Sequence, residues 1–336
     1  MKHIFFAHSH TLTLSSLGTI EYLKLNHKDC IFLCTRNYIM PEGITDCKVI
    51  DANDVYNEFN KGLSGTLLQN YRDIKRFDKF LYEWTEGDDF FFYPPHLGGF
   101  FILFSSNKKC KKVSFVQEGA HTISGMFINN LNLFQKIRRW LSSLKHYGTF
   151  RKYACNGWYT DGCLPFQKKI NVYATSESFF KYMPQEKIVY HQISWPICNK
   201  KLHIKYPDAP IFIFDGFVKN GVVDKDTYMS ACKRIIKENY KELNYLKFHP
   251  AQVQEERNLI MSFFTNLGVK IEIFPETDPF EFYITNCKNM TIIGFSSSLL
   301  IYAKDAGHKV IAHSSWLLES SLYKTWVDKG YPVFDN

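Results

Sequence analysis

The chain has 336 residues, of which 45% are hydrophobic and 22% are charged. This length exceeds what one hydrophobic core usually fills, so we expect two domains. The nine cysteines contain no Cys-x-x-Cys pair, so we expect no zinc or disulfide framework. No apolar run reaches the ~20 residues of a transmembrane helix, and the apolar run in the first ten residues is too short for a signal peptide, so we expect a cytoplasmic protein.

Short apolar runs alternate with helical stretches through the first 200 residues. The predicted strands span 2–7, 30–35, 47–50, 90–93, 113–116 and 172–174, and the predicted helices include 15–25 and 67–84. Much of 36–66 fits neither pattern. Strands that alternate with helices are typical of a parallel, doubly wound sheet, so residues 1–200 are predicted to form a Rossmann-like domain.

The same pattern restarts after a proline-marked stretch at 195–210. The predicted strands span 211–214, 245–249, 269–274, 290–295 and 309–313, and the predicted helices span 226–243, 255–267 and 298–306. Residues 208–315 are therefore predicted to form a second Rossmann-like domain, followed by a segment, 316–336, that could cross back to the first domain. Two doubly wound α/β domains that face a cleft describe the GT-B architecture.

Polar residues end three of the predicted strands. They are Gln117-Glu118-Gly119, Lys247-Phe248-His249-Pro250 and Ser296-Ser297-Ser298. Open α/β sheets bind ligands at the carboxyl ends of their strands, so an acid, a histidine and a hydroxyl cluster at three such ends indicate one site. The sequence therefore favours an enzyme.

Each of these points has a chemical and a structural interpretation. The serines begin a helix, where backbone N–H groups and hydroxyls bind phosphate, or where a serine only caps the helix. His249 could donate a hydrogen bond or a proton to that phosphate, or could simply end a strand. Glu118 could remove a proton from an acceptor hydroxyl, or could be a solvated turn residue beside Gly119, which lets the backbone turn tightly.

Taken together, Glu118-Gly119, Lys247-x-His249-Pro250 and Ser296-Ser297-Ser298 resemble the acid-acid-glycine, His-Pro and paired Ser/Thr motifs of bacterial sialyltransferases. That family includes lipooligosaccharide, capsule and O-antigen sialyltransferases. The motifs are short, but they occur in the family's order across both predicted domains. At position 117 this chain has glutamine where the family usually has a second acid.

The resemblance implies a GT-B enzyme that moves sialic acid from CMP-sialic acid to a hydroxyl of galactose or sialic acid on a bacterial surface glycan, with inversion of the anomeric centre. It implies that Glu118 is the general base, that His249 assists departure of the CMP phosphate, and that the three serines bind this phosphate. The further donor-side residues that it implies are Lys247 and Pro250 near the cytidine, Glu281 or else Glu276 at the ribose hydroxyls, and Asp215-Gly216 in a loop over the nucleotide.

No metal and no cofactor are expected. A sialyl donor already carries a carboxylate and a nucleoside monophosphate leaving group, so its ionisation needs charge stabilisation at the phosphate more than a bridging cation. The one Asp-x-Asp sequence, Asp224-Lys225-Asp226, falls at a predicted helix start, where helix capping explains it.

Acceptor-binding residues are expected in loops that follow the strands of the first domain. The candidates are His8, Ser9, His10, Tyr93, His96, Gly119 and His121. The basic and aromatic stretch 134–153 is predicted to be an amphipathic helix. It could rest on an anionic membrane that carries lipid-linked glycan acceptors, or it could be a solvated face or a groove for an anionic glycan.

Two alternatives stay open. The donor could be another CMP-activated acid, such as Kdo or a sialic-acid relative, because the CMP-binding motifs would look alike. The net charge of +8 would also suit a noncatalytic protein that binds nucleic acid. The chain has no recognisable RNA- or DNA-binding signature, so the partners we expect are a CMP-sugar donor and a glycan or lipid-linked glycan acceptor.

Overall fold

A computed structural model describes residues 1–60, 66–97, 100–119, 169–180, 183, 185–197, 209–274, 279–331 and 333–335, with a few isolated positions between 132 and 141. The described residues form two compact units. Unit 1 extends to Pro196, and unit 2 begins at Ile197. None of the helices within these ranges is long and apolar enough to cross a membrane.

Unit 1 is built around parallel strands. They are β1 (Lys2–Ala7), β2 (Cys30–Cys34), β3 (Lys48–Asp51), β4 (Phe90–Tyr93), β5 (Cys110–Val113), β6 (Phe115–Val116), β7 (Ile170–Ala174) and β8 (Ile188–Gln192). The helices described with them are α1 (His10–Leu23), α2 (Asn53–Phe59), α3 (Leu67–Trp84) and α4 (Phe101–Ser105). The strand orders are β3-β2-β1-β4-β5 and β6-β7-β8.

The two sheets of unit 1 are connected through a break at Ser114. The backbone N–H of Ser114 donates to the carbonyl of Phe92 at 2.9 Å, and that of Val116 donates to the carbonyl of Pro94 at 3.1 Å. β6 therefore continues the line of β5 beside β4, and the predicted strand 113–116 contains this break. In the first sheet, β1 is the central strand and lies between β2 and β4.

Aromatic packing and one close backbone approach hold helices onto this sheet. The Phe6 ring meets Phe101 and Phe104 edge to face, with centroids 4.7 and 5.2 Å apart. On α1, a Cβ at Gly18 would lie 2.3 Å from the carbonyl oxygen of Ser194, so only glycine permits this contact. These contacts hold α4 against β1 and the middle of α1 against the chain that follows β8.

Unit 2 repeats the same topology. Its strands are β9 (Ile211–Phe214), β10 (Leu243–Phe248), β11 (Lys270–Ile273), β12 (Thr291–Gly294) and β13 (Lys309–Ala312), in the order β11-β10-β9-β12-β13. Its helices are α5 (Lys225–Asn239), α6 (Gln254–Thr265), α7 (Phe280–Asn286), α8 (Ser298–Asp305) and α9 (Ser321–Asp328). The predicted fold class, a GT-B chain of two doubly wound Rossmann-like domains, is confirmed in these two sheets.

Several predicted boundaries differ from the structure by one or two residues, and three predictions differ by more. Helix α1 begins at His10 rather than near residue 15, because Ser9 caps it and accepts the N–H of Leu12. Helix α5 ends at Asn239, before the strand that leads to His249. The segment after residue 316 does not cross back to unit 1 where it is described, because Leu317 and Tyr323 are fully buried in the core of unit 2.

Candidate functional site

Glu118 is the centre of a partly buried group of charged side chains at the carboxyl edge of the unit 1 sheet. It comes shortly after β6, and His8 directly follows the central strand β1. The Nε2 atom of His8 hydrogen-bonds Glu118 Oε1, and Arg36 Nη1 lies 3.8 Å from the same oxygen. The structure thus joins the predicted base to a predicted acceptor-side residue.

Two opposing effects set the pKa of Glu118. Burial alone would raise it, but the hydrogen bond that His8 donates and the electrostatic effects of His8, His96 and Arg36 outweigh burial and lower the pKa to about 2. The side chains of Glu118 and His8 are 11% and 1% exposed, so water screens the contact between these two little. Glu118 therefore stays ionised across the physiological pH range.

Arg36 is a site residue that the sequence analysis did not identify. It comes shortly after β2, and both Arg36 and Asn37 adopt left-handed backbone conformations, with φ of 56° and 57°. Such conformations cost free energy in residues other than glycine and often occur at functional sites. Hydrogen bonds of Asn37 N to Asn53 Oδ1 at 2.6 Å and of Arg36 Nε to the Tyr56 hydroxyl at 3.3 Å hold this loop. Its position after a strand end was the available signal.

Gln117 has a structural role, which explains why this position need not carry an acid. Gln117 is fully buried. Its Oε1 atom accepts a hydrogen bond of 2.6 Å from the backbone N–H of Thr175, the residue that follows β7. Neighbouring residues of an extended chain point to opposite faces. An ionised acid at 117 would be a buried carboxylate, which is costly without a compensating charge. The departure from the family motif therefore leaves the Glu118 group intact.

Two further acceptor-side candidates lie near this group. His96 is buried, its ring meets that of Phe101 edge to face at 4.6 Å, and its charge contributes to the lowered pKa of Glu118. His10 begins α1, and its Nδ1 atom hydrogen-bonds the Tyr38 hydroxyl at 2.9 Å. The loop that carries Arg36 is thereby tied to the start of α1.

Of the remaining acceptor-side candidates, two have structural roles, one adjoins Glu118 and one lies outside the described residues. Ser9 caps α1. Tyr93 is buried, stacks on Phe5 with centroids 4.4 Å apart, and its hydroxyl hydrogen-bonds His3 Nδ1 at 3.0 Å, towards the amino end of β1. Gly119 adjoins Glu118, and His121 lies outside the described residues.

In unit 2, the ring of His249 is held in one tautomer. His249 follows β10, and its Nδ1 atom accepts a hydrogen bond from the backbone N–H of Ala251 at 3.0 Å. An Nδ1 that accepts cannot carry the proton of a neutral imidazole, so the proton lies on Nε2. Partial burial, followed by the charges of Lys247 and Arg257, lowers the pKa of His249. The neutral ring therefore presents Nε2–H as a hydrogen-bond donor.

Because Gly216 has no side chain, the His249 ring can pack directly against its backbone. A Cβ at this position would lie 2.8 Å from His249 Nδ1 and 2.9 Å from Ala251 Cβ. Such distances are shorter than real contacts of this kind, so a side chain at 216 would displace the ring. The structure thus brings Gly216 and His249, two predicted donor-side residues, into contact.

Asp215, at the end of β9, is buried rather than exposed in a loop. Its backbone is fixed by the Tyr228 hydroxyl, which accepts from Asp215 N at 2.8 Å and donates to Asp215 O at 2.9 Å. Within the described part of the chain, Oδ2 has no hydrogen-bond partner. Burial raises the pKa of Asp215 to about 7, although the backbone N–H of Ser296 opposes this shift.

We expect Asp215 to make unit 2 less stable as the pH rises. Its pKa is raised from 3.8 to about 7 in the folded protein, so between these values the folded protein keeps a proton that the unfolded chain loses. Asparagine at 215 has no such proton to lose. The stability of Asp215→Asn relative to wild type should therefore increase by on the order of 2 kcal/mol between pH 5 and pH 8. Thermal unfolding at both pH values measures this, and an equal pH dependence in the two proteins would contradict it.

The three serines have different environments. Ser296 is 1% exposed, and its Oγ accepts a hydrogen bond from the Tyr323 hydroxyl at 3.5 Å. Ser297 caps α8, with Oγ 3.4 Å from Leu299 N, and Ser298 is the first helical residue. Ser297 and Ser298 are partly exposed, so these two can meet a ligand at the helix start.

The other donor-side candidates are placed less tightly. Lys247 is a partly buried residue of β10, Pro250 is exposed in the turn after His249, and Glu281 is in the first turn of α7. Glu276 lies outside the described residues. Among the residues that the structure describes, no three His, Cys, Asp or Glu side chains are grouped as metal ligands would be.

No protein-family model matches the chain, and no curated protein is similar to it in sequence. Solved structures match it over nearly its whole length at low identity. They include MurG from Acinetobacter baumannii (10% identity, 98% of this chain and 90% of that chain, TM-score 0.36), UDP-N-acetylglucosamine 2-epimerase from Rickettsia bellii (13%, 98% and 88%, 0.45) and an E. coli structure described as trehalose-6-phosphate bound with UDP-2-fluoro glucose (8%, 98% and 91%, 0.40). Likenesses this distant assign no activity to the chain.

Proposed function

We propose that this chain is an inverting, metal-independent glycosyltransferase that moves sialic acid from CMP-sialic acid to a hydroxyl of galactose or sialic acid on a bacterial surface glycan. The observation that carries the proposal is the ring of His249, which is held as an Nε2–H donor at the carboxyl edge of the unit 2 sheet. The motif resemblance selects CMP-sialic acid as the donor that this ring serves.

On the donor side, the reaction breaks the bond between the anomeric carbon and the phosphate oxygen of CMP. Negative charge grows on that phosphate as the bond breaks, and an Nε2–H donor stabilises it. Ser297 and Ser298 add hydroxyls and the positive end of α8, and Lys247 adds a positive charge beside His249. These groups support departure of a nucleoside monophosphate without a bridging cation.

On the acceptor side, the hydroxyl that attacks the anomeric carbon must lose its proton. The hydrogen-bonded pair of Glu118 and His8 is the group in unit 1 that supports this step. Arg36 and His96 stabilise the ionised carboxylate of the pair. The proposal thus gives unit 1 the acceptor and the proton transfer, and unit 2 the donor.

A donor panel tests the proposal. The purified protein is incubated with CMP-sialic acid, CMP-Kdo or UDP-N-acetylglucosamine and a galactoside or sialoside acceptor, and nucleotide release and product mass are measured. We expect CMP release and a sialylated product with the first donor. Transfer from CMP-Kdo alone would select the alternative donor, and no transfer together with tight, salt-dependent binding of nucleic acid would reject the enzyme.

Separate substitutions of two serines should distinguish helix capping from phosphate binding. Ser297→Ala removes the cap of α8, so it should cost about 1 kcal/mol of stability. Ser298→Ala removes a hydroxyl that caps nothing, so it should weaken CMP binding without lowering the unfolding temperature. Calorimetric titration with CMP and thermal unfolding measure both effects, and unchanged CMP affinity in Ser298→Ala would exclude this hydroxyl from the phosphate site.

Peripheral membrane contact through 134–153 is a further part of the proposal. Most of this segment lies outside the described residues. Of its described positions, Phe134, Ile137 and Leu141 are 73%, 48% and 52% exposed, and they recur at helical spacing. Exposed apolar residues beside basic ones suit the surface of an anionic membrane, where lipid-linked acceptors lie.

A further inference from the structure

We propose that His8, through its Nδ1 atom, takes the proton from the acceptor hydroxyl, and that Glu118 holds the ring of His8 rather than taking this proton itself. The inference rests on the proposed transferase function and reassigns the base that the family motif would place at Glu118. It concerns residues of unit 1 alone.

The hydrogen bond between the two side chains determines the tautomer of His8. An ionised carboxylate can only accept, so the proton between His8 Nε2 and Glu118 Oε1 belongs to the ring. In the neutral form of the ring this is the single proton, so Nδ1 then carries a lone pair. Within the described part of the chain this buried nitrogen has no hydrogen-bond partner, which is rare for a buried polar atom.

The electrostatics of Glu118 argue against it as the base. Burial opposes the shift, but the hydrogen bond from His8, which the neutral ring also donates, and the charges of His96 and Arg36 hold the pKa of Glu118 well below its ordinary value. General bases work best when their pKa lies near the working pH, and a carboxylate held this far below it is a weak proton acceptor. The same carboxylate is well suited to stabilise an imidazolium at His8.

The backbone around His8 keeps the ring in place. His8 lies between β1 and Ser9, and the hydrogen bond from Leu12 N to Ser9 Oγ fixes the chain where it enters α1. The ring also lies 6.4 Å from that of Phe101, between centroids. Because the side chain is only 1% exposed, bulk water competes little with an acceptor hydroxyl for Nδ1.

In the proposed step, the acceptor oxygen forms a bond to the anomeric carbon. The bond from that carbon to the phosphate oxygen breaks, leaving its electron pair on CMP. The acceptor proton goes to His8 Nδ1 and forms an imidazolium. Its positive charge is paired with Glu118, while Nε2–H stays in the hydrogen bond between them.

The test is the pH profile of kcat/KM for sialyl transfer in wild type, His8→Gln, Glu118→Gln and His3→Gln. His3 is the matched control, because it is a histidine near the amino end of β1, the strand that His8 follows. For His8→Gln we expect a loss of about 1,000-fold and no fall of the remaining rate on the acid side. Glu118→Gln should keep this acid-side fall and move it to lower pH, since the imidazolium loses its partner.

Retention of the acid-side fall and of at least a tenth of the rate in His8→Gln would overturn the inference. A wild-type protein that releases no CMP from CMP-sialic acid would instead refute the transferase function itself. Should His8→Gln not fold, ¹⁵N spectra of the histidine rings in the wild-type chain at pH 7.5 provide a second test. They should show His8 protonated at Nε2 and unprotonated at Nδ1, and the opposite tautomer would also overturn the inference.

Discussion

Glu118→Gln should lower kcat for sialyl transfer by about 1,000- to 10,000-fold while CMP binding stays at the wild-type level. The amide has nearly the shape of the carboxylate, but it carries no charge to stabilise a proton gained by the pair. It can also turn its NH₂ group towards His8 Nε2, which favours the wrong ring tautomer. The proposed CMP-binding residues belong to unit 2, so their affinity should not change.

Steady-state transfer assays and calorimetric titration with CMP measure these two effects. The matched control is Glu86→Gln, because Glu86 is an exposed glutamate of unit 1 whose partners are Lys2 and Lys48. This control should keep the wild-type rate, since exposed ion pairs contribute little. A Glu118→Gln enzyme within tenfold of wild type would remove the Glu118 and His8 pair from the chemical step.

The sequence predicted the sheets well because their strands are buried and strongly apolar. The strand Ile211–Phe214 was predicted with its observed bounds, and all four of its residues are buried. The helix Leu67–Trp84 was also predicted with its observed bounds, from its apolar periodicity. Helix α1 is buried around most of its circumference and mixes apolar residues with threonine and serine, so apolar periodicity does not mark its first turn. Its start is set by the cap at Ser9, and the sequence prediction placed it too late.

Part of the candidate site could also be predicted from the buried strands. Glu118 in unit 1 and His249 in unit 2 each follow a strand, and in each sheet the parallel strands bring their carboxyl ends to one edge. Arg36 was missed, since its approach to Glu118 depends on two successive left-handed residues that sequence pattern does not reveal. The contact between His8 and Glu118 joins residues 110 positions apart, and only the strand order brings them together.

Gly216→Ala should lower kcat about 100-fold, which is the loss expected for His249→Ala as well. The new Cβ would lie 2.8 Å from His249 Nδ1, so the ring must move and lose its hydrogen bond from Ala251 N. Without that bond, Nε2–H is no longer held towards a departing phosphate. The substitution therefore removes the function of His249 without changing the residue itself.

A double-mutant cycle tests this link. If both substitutions act through the same ring, the double variant should be no slower than the slower single variant. Gly221→Ala is the matched control: its φ of +65° makes alanine cost about 1 kcal/mol of stability, but nothing lies within 4 Å of the new Cβ, so kcat should not change. Additive losses in the double variant would mean that Gly216 acts apart from His249, and the close approach of the two residues would then not explain the effect of Gly216→Ala.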